Sequence, residues 1–331
     1  MKKIINNPLD VVNEMLLGLV ESDPTLSYLT EHNVVYRKNK SVKVGLVSGG
    51  GSGHEPTHGG YVGKGMLDVA VAGNVFASPA PLAILAGIRE ANNGLGVILI
   101  VKNYSGDIMN FEMAKDLAEA EGIAVEMVVV HDDVATKDIK NTTGRRGIAG
   151  TILVHKITGA KAESGASLSE TKAIAEKAIN NIRTMGMALS SCILPAVGTP
   201  IFKLNENEIE IGMGIHGEPG IHRTELLTSA ELANILVERI FLDMDFNDSE
   251  VAVLVNGLGA TPLMELFILY HDVHTILTKN NIKIHRSFVG NYMTSLEMAG
   301  CSLTLLKLDD ELKQLLDATC DTPALKIMNL R

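Results

Sequence analysis

Residues 42–56 read VKVGLVSGGGSGHEP, an apolar run that passes without a break into a glycine-rich loop. Residues 42–47 have the length and continuous hydrophobicity of a buried strand. The loop that follows, SGGGSGHEP at 48–56, carries four glycines within five positions. In open α/β sheets ligands bind outside the carboxyl ends of strands, and glycines there let backbone N–H groups approach an oxygen-rich ligand. A tight turn needs fewer glycines, so the loop reads as a ligand contact.

Outward from this stretch, strands and helices alternate. Residues 68–72, 97–101 and 124–130 read as strands. A first helix is expected to start at Asn7–Pro8 with Val12, Met15, Leu16 and Leu19 on one face; others open at Ser78–Pro79 and near Asp107. Strand–loop–helix at this spacing indicates a largely parallel sheet with helices on its faces. An Ala-, Gly- and Ser-rich segment at 159–169 marks a candidate boundary region, before a long helix expected over 170–187. Strands are then expected at 191–197, 208–214, 251–255, 283–289 and 302–308. The expected fold is α/β: two α/β domains, 1–180 and 181–331, with largely parallel or mixed sheets flanked by helices.

Composition narrows the classes. The length of 331 residues suits two domains. The formal charge of −10 and the missing basic runs argue against nucleic-acid binding. No apolar run approaches a membrane span, and MKKIINNPLD lacks the apolar region of a secretory signal. Three scattered cysteines, Cys192, Cys301 and Cys320, fit a reducing cytoplasm and no disulfide framework.

Several motifs carry chemistry. The first loop lacks the GK[ST] ending of a P-loop, and its glycines miss the dinucleotide GxGxxG spacing. His54-Glu55-Pro56-Thr57-His58 matches HExxH in letters, but Pro56 breaks the helical turn that would put both histidines on one face. KNYSGD at 102–107 ends a strand and offers Lys102 and Asp107; Asp107 reads as a general base toward a hydroxyl or as a helix cap. MGIHGEPGIHR at 213–223 exposes His216 among Gly214, Gly217 and Gly220. NGLGAT at 256–261 is open to a ligand contact or a plain turn. His131-Asp132-Asp133 reads first as a cap or solvated loop and second as a cation site, and GRRG at 144–147 reads as a solvated basic turn or a partner contact.

Together and in order, SGGGSGHEP, GYVGKGMLDVAVAGNVFASP, KNYSGD, GRRGIAGT and GIHGEPG resemble the dihydroxyacetone kinases. The likeness is strongest to the substrate-binding K subunits of the phosphotransferase-system-dependent enzymes. The resemblance implies that His216 forms a covalent hemiaminal with the ketone carbon of dihydroxyacetone. It implies Asp107 as base for the hydroxyl that receives the phosphoryl group, and His54 as substrate hydrogen-bond partner and proton donor. Gly51 and Lys102 match substrate contacts, with Ser52 and Gly53 completing the loop. It implies no metal or cofactor in this chain, ADP/ATP with magnesium on a partner L subunit, and an M subunit that rephosphorylates it from phosphoenolpyruvate. A cytoplasmic homodimer is implied too. Single-chain ATP-dependent relatives carry an added L domain, for which 331 residues leave no room. The alternative is a paralogue that senses dihydroxyacetone and activates a transcription regulator.

Overall fold

The computed structural model describes residues 2–136 and 144–328. The chain forms two compact units. One comprises Lys2–Val130, Ile152–Ile179 and the stretch from Gln314; the other comprises His131–Thr151 and Asn180–Lys313. Two excursions thus cross a division at residue 180. Asp133 bridges to Thr184 in the second unit, and the chain beyond Gln314 returns to the first, where the Asp321 N–H donates to the Lys64 carbonyl at 2.9 Å.

In chain order the first unit contains α1 (Val11–Ser22), β1 (Leu26–Leu29), β2 (Val34–Arg37), β3 (Gly45–Ser52), β4 (Val69–Val75), α2 (Pro81–Ala91), β5 (Val97–Lys102), α3 (Ser105–Ala120) and β6 (Val125–Val130). After the excursion come α4 (Thr151–Glu163) and α5 (Leu168–Asn180). Its strands form one sheet in the order β1-β2-β4-β3-β5-β6. β4, β3, β5 and β6 are parallel, as the alternation predicts, and β1 and β2 add antiparallel edge pairings that the sequence reading missed. Val47, Val69, Val71, Leu99 and Val101 pack against Ile84, Ile88 and Phe111 of α2 and α3. Each such fully buried side chain contributes roughly 1.5–3 kcal/mol. Pro81, with its φ preset, opens α2.

The second unit follows with β7 (Ile182–Ala188), β8 (Glu208–Ile211), β9 (His222–Glu225), α6 (Ser229–Asp243), β10 (Glu250–Gly257), α7 (Leu263–Lys279), β11 (Lys283–Gly290) and β12 (Gly300–Leu308). Here the order is β11-β10-β12-β7-β8-β9, and only β10 and β11 run parallel. This sheet is therefore mixed. Leu236, Val237 and Ile240 of α6 and Leu266 and Val273 of α7 cover it, against Met185, Val253, Val255, Leu303 and Leu305. The chain ends in α8 (Asp310–Asp317), β13 (Cys320–Asp321) and β14 (Lys326–Ile327).

Three local expectations fail for physical reasons. The helix expected over 170–187 stops at Asn180, where the apolar spacing of Ile174, Ala175, Ala178 and Ile179 ends; one residue later Ile182–Ala188 form β7, paired on both sides. Residues 191–197 form no strand and make only an isolated bridge, Ile193 to Pro200. The supposed boundary at 159–169 begins inside α4, where Gly159 packs so closely that a Cβ would stand 2.5 Å from the Gly65 carbonyl oxygen. Among the described residues no helix is long and apolar enough to cross a membrane.

Candidate active site

β3 lies between β4 and β5, so the strand order reverses at β3. That topological switch opens the crevice in which open α/β sheets bind ligands, beyond the carboxyl ends of β3 and β5. The β3 loop and KNYSGD both sit at those ends. The SGGGS part of the expected loop belongs to β3 itself, paired to β4, and its glycines have separate reasons. A Cβ on Gly51 would meet the Ala77 backbone nitrogen at 2.7 Å, so Gly51 admits the 76–77 backbone. A Cβ on Gly50 would meet Lys102 Nζ at 3.1 Å and His58 Nε2 at 3.5 Å, so Gly50 admits a buried ammonium. Ser52 Oγ donates to the Gly73 carbonyl at 2.7 Å, and the Gly53 N–H donates to the Glu55 carboxylate at 3.0 and 3.1 Å. Those two groups hold the loop in shape. His54 is buried and stacks on Phe76, with ring centroids 5.0 Å apart and planes 16° from parallel.

Lys102 is the last residue of β5 and is fully buried; its Nζ lies 3.9 Å from Asp107 Oδ2. Asp107 is not a cap. α3 begins at Ser105, the cap position is Tyr104, and Asp107 falls in the first turn. Among the described residues its Oδ1 has no hydrogen-bond partner, which leaves the buried carboxylate available for chemistry.

Behind Lys102 stands a pair of histidines. His58 Nδ1 lies 3.2 Å from Ser48 Oγ and 3.0 Å from His155 Nε2, while Ser48 Oγ donates to the Ile100 carbonyl at 2.6 Å. Ser48 therefore only accepts from His58. We assign the hydrogen to His58 Nδ1, which leaves the Nε2 lone pair on the Gly50 side, where the Lys102 ammonium also lies. Burial, then the charges of His155, Lys102 and His54, hold His58 well below the usual histidine range. Burial and the Lys102 charge lower His155 to about 3. His54 and His58 occupy turns, so the shared helical face that zinc ligation by HExxH needs does not form.

The second unit carries His216. Gly214, whose N–H donates to the Glu218 carbonyl at 3.1 Å, and Gly217, at φ 81°, close a turn that leaves the imidazole half-buried. Ser295 Oγ anchors the turn by donating to the Ile215 carbonyl at 2.6 Å. His216 Nδ1 lies 2.9 Å from Glu218 Oε1, and the His216 N–H donates to Oε2 at 3.0 Å. Burial raises the Glu218 pKa, but the hydrogen bond and charge of His216, with the charge of Arg146, bring it down to about 2. An ionised carboxylate only accepts, so we assign a ring hydrogen to Nδ1, and in the neutral ring that tautomer puts the lone pair on Nε2.

The structure thus gathers Gly51, Ser52, Gly53, His54, Lys102 and Asp107 in the first unit and places His216 in the second. A Dak1 domain match spans residues 17–324. The chain belongs to the Dak1 domain family, that of the dihydroxyacetone kinases. Over 314 residues it is 56% identical to the dihydroxyacetone-binding subunit of PTS-dependent dihydroxyacetone kinase 1 of Listeria innocua, covering 94% of this chain and 95% of that relative. A solved dihydroxyacetone kinase operon co-activator superposes with a TM-score of 0.92 at 38% identity, over 95% of this chain and 98% of its own. The dihydroxyacetone kinase of C. freundii superposes with a TM-score of 0.92 at 36% identity, over 98% of this chain and 60% of its own.

Within this Dak1 chain the sequence reading missed Glu218, His58 and His155. Glu218 had a signal, since HGE puts a carboxylate two residues beyond the histidine across a glycine turn. His58 was weighed only as a zinc ligand. His155 had none: it sits inside the apolar helix α4 and meets His58 only through the fold.

Proposed function

We propose that this chain is the dihydroxyacetone-binding, catalytic subunit of a phosphotransferase that makes dihydroxyacetone phosphate. The observation that carries the reading is the half-buried His216, whose Nδ1 lies 2.9 Å from Glu218 Oε1, so that the neutral ring offers Nε2 as the nucleophile. The Nε2 pair forms the C–N bond to the ketone carbon, the carbonyl π pair moves to oxygen, and that oxygen takes the proton that His54 donates, leaving the His216 ring positive. Covalent capture of this kind selects ketones and aldehydes over glycerol, which has no electrophilic carbon. Asp107 then accepts the proton of the hydroxyl that is phosphorylated, and His54 hydrogen-bonds the substrate and donates a proton. Lys102 and the Gly51–Ser52–Gly53 loop contact the substrate. Fixed placement of the hydroxyl lowers the barrier to in-line transfer.

The phosphoryl group comes from a separate L subunit bearing ADP/ATP with magnesium, recharged by an M subunit from phosphoenolpyruvate. The chain itself holds no cofactor and works in the cytoplasm as a homodimer. Support for a second copy lies on α7, where Leu263, Met264, Phe267 and Ile268 expose one apolar face. The name of the Listeria innocua relative supports the assignment.

The deciding measurement is phosphoryl transfer reconstituted with purified L and M subunits. Asp107→Asn should keep dihydroxyacetone binding and lose transfer by roughly 10²–10⁴-fold, the range general bases supply. Unchanged transfer would refute the base role. The likeness to an operon co-activator favours a second reading, a dihydroxyacetone sensor that activates transcription. Adduct formation without any turnover in the parent chain would establish that reading instead.

A further inference from the structure

The GRRG turn holds a basic residue whose purpose the sequence left open. Arg146 is buried, and its Nε and Nη2 each lie 2.7 Å from Asp133 Oδ2. Nη2 also donates to the Gly212 carbonyl at 2.8 Å, and the Arg146 carbonyl accepts from the Asp133 N–H at 3.1 Å. Asp133 is itself fixed: its Oδ1 accepts from the Ala135 N–H at 2.9 Å. Burial pushes the Asp133 carboxyl up to about 6, and the guanidinium works against that rise. The guanidinium is therefore clamped on one side by a carboxylate and a carbonyl.

Its remaining nitrogen faces the capture site. Arg146 Nη1 and Glu218 Oε2 stand 2.4 and 2.0 Å from the point where a Cβ on Gly214 would lie. Glycine at 214 is what lets them face each other. The same Oε2 accepts the His216 N–H, and Oε1 takes His216 Nδ1. The chain Asp133, Arg146, Glu218, His216 alternates in charge and ends on the imidazole.

We propose that Arg146 is a positioning residue for carbonyl capture: anchored by Asp133, it holds the Glu218 carboxylate so that His216 keeps its hydrogen on Nδ1 and its lone pair on Nε2. This rests on reading His216 as the nucleophile. When Nε2 forms the C–N bond, the carbonyl pair moves to oxygen, the oxygen takes the proton that His54 donates, and the His216 ring is left positive with its hydrogen on Nδ1. The fixed carboxylate stabilises that charge. A histidine without it would divide between two tautomers, and only one of them is nucleophilic at Nε2.

The test uses the full chain labelled with nitrogen-15 in its histidines, which reports the His216 tautomer with no substrate present. Carbon-13-labelled dihydroxyacetone reports the tetrahedral adduct carbon. The parent should show the Nδ1–H tautomer and a saturable adduct. Arg146→Gln should mix the tautomers and weaken the adduct about tenfold, the loss that one pKa unit of stabilisation represents. Asp133→Asn should do the same more weakly and serves as the deciding variant if Arg146→Gln does not fold. Parental tautomer and adduct in a folded Arg146→Gln chain, or in Asp133→Asn where only that variant folds, would overturn the proposal. A parent that forms no adduct while its tautomer still responds to Arg146→Gln would remove the capture reading and leave the positioning role standing.

Discussion

A methyl group on Gly50 would stand 3.1 Å from Lys102 Nζ and 3.3 Å from its Cε. Such contacts are met by a shift of a few tenths of an ångström, and here the shifting atom is the ammonium beside Asp107. Gly50→Ala should therefore leave the chain folded while lowering phosphoryl transfer several-fold, since sub-ångström misplacement of a charged group weakens catalysis. Steady-state transfer and a thermal melt, run together, check it; a fall in melting temperature with unchanged transfer sinks it. Gly51 differs, because its neighbour at 2.7 Å is backbone and has no flexible end to yield. At this scale the sequence supplies candidates. Glycine clusters, histidines and carboxylates between elements stand out by residue type alone, which is how His54, Lys102, Asp107 and His216 were singled out. Gly50 was legible as part of a glycine cluster, but its place within β3 and its reason, a lysine arriving from another strand, were not.

Helix α6 opens with a complete capping box: Thr228 Oγ1 accepts from the Glu231 N–H, and the Glu231 carboxylate accepts from the Thr228 N–H at 2.8 Å. Thr228→Ala should lower stability by about 1 kcal/mol. Urea unfolding measures this, and a change under a few tenths would show that packing of the helix against its sheet sets the stability alone. Elements with strong local codes were legible. β5 is a continuous apolar run, and α2, expected to open at Ser78–Pro79, begins just beyond it at Pro81. The failures share one cause. β7 follows helical sequence with no proline or glycine to separate them, and it is a strand because β12 and β8 pair with it. The edge strands β1 and β2 are four residues each, too short for a periodicity to show.

For the whole molecule the buried histidines set an acid limit. His155 falls from 6.5 to about 3 in the fold. The unfolded chain therefore binds a proton there as pH falls through 6.5, and the folded chain does not until about 3. Stability from this group is complete above the unfolded value and declines with falling pH, by up to about 1.4 kcal/mol per pH unit. Buried Glu55, Asp132 and Asp133, all raised by burial, act in the opposite direction. The test is thus a difference: His155→Gln should lose stability less steeply than the parent between pH 6.5 and 4 in urea melts. Parallel curves would mean that His155 is protonated in the folded chain.

By itself the sequence determined the α/β class and singled out the candidate segments and residues for chemistry. Those properties are local: period, turn residues and side-chain type act over a few neighbouring positions. Only the tertiary structure decided the rest. It reversed the strand order at β3, set His58 and His155 behind Lys102, made β7 a strand, and brought Arg146 to face Glu218 across a glycine. Each joins positions far apart in the chain, and such contacts are fixed by packing and by the need to pair buried polar groups, which no stretch of sequence contains alone.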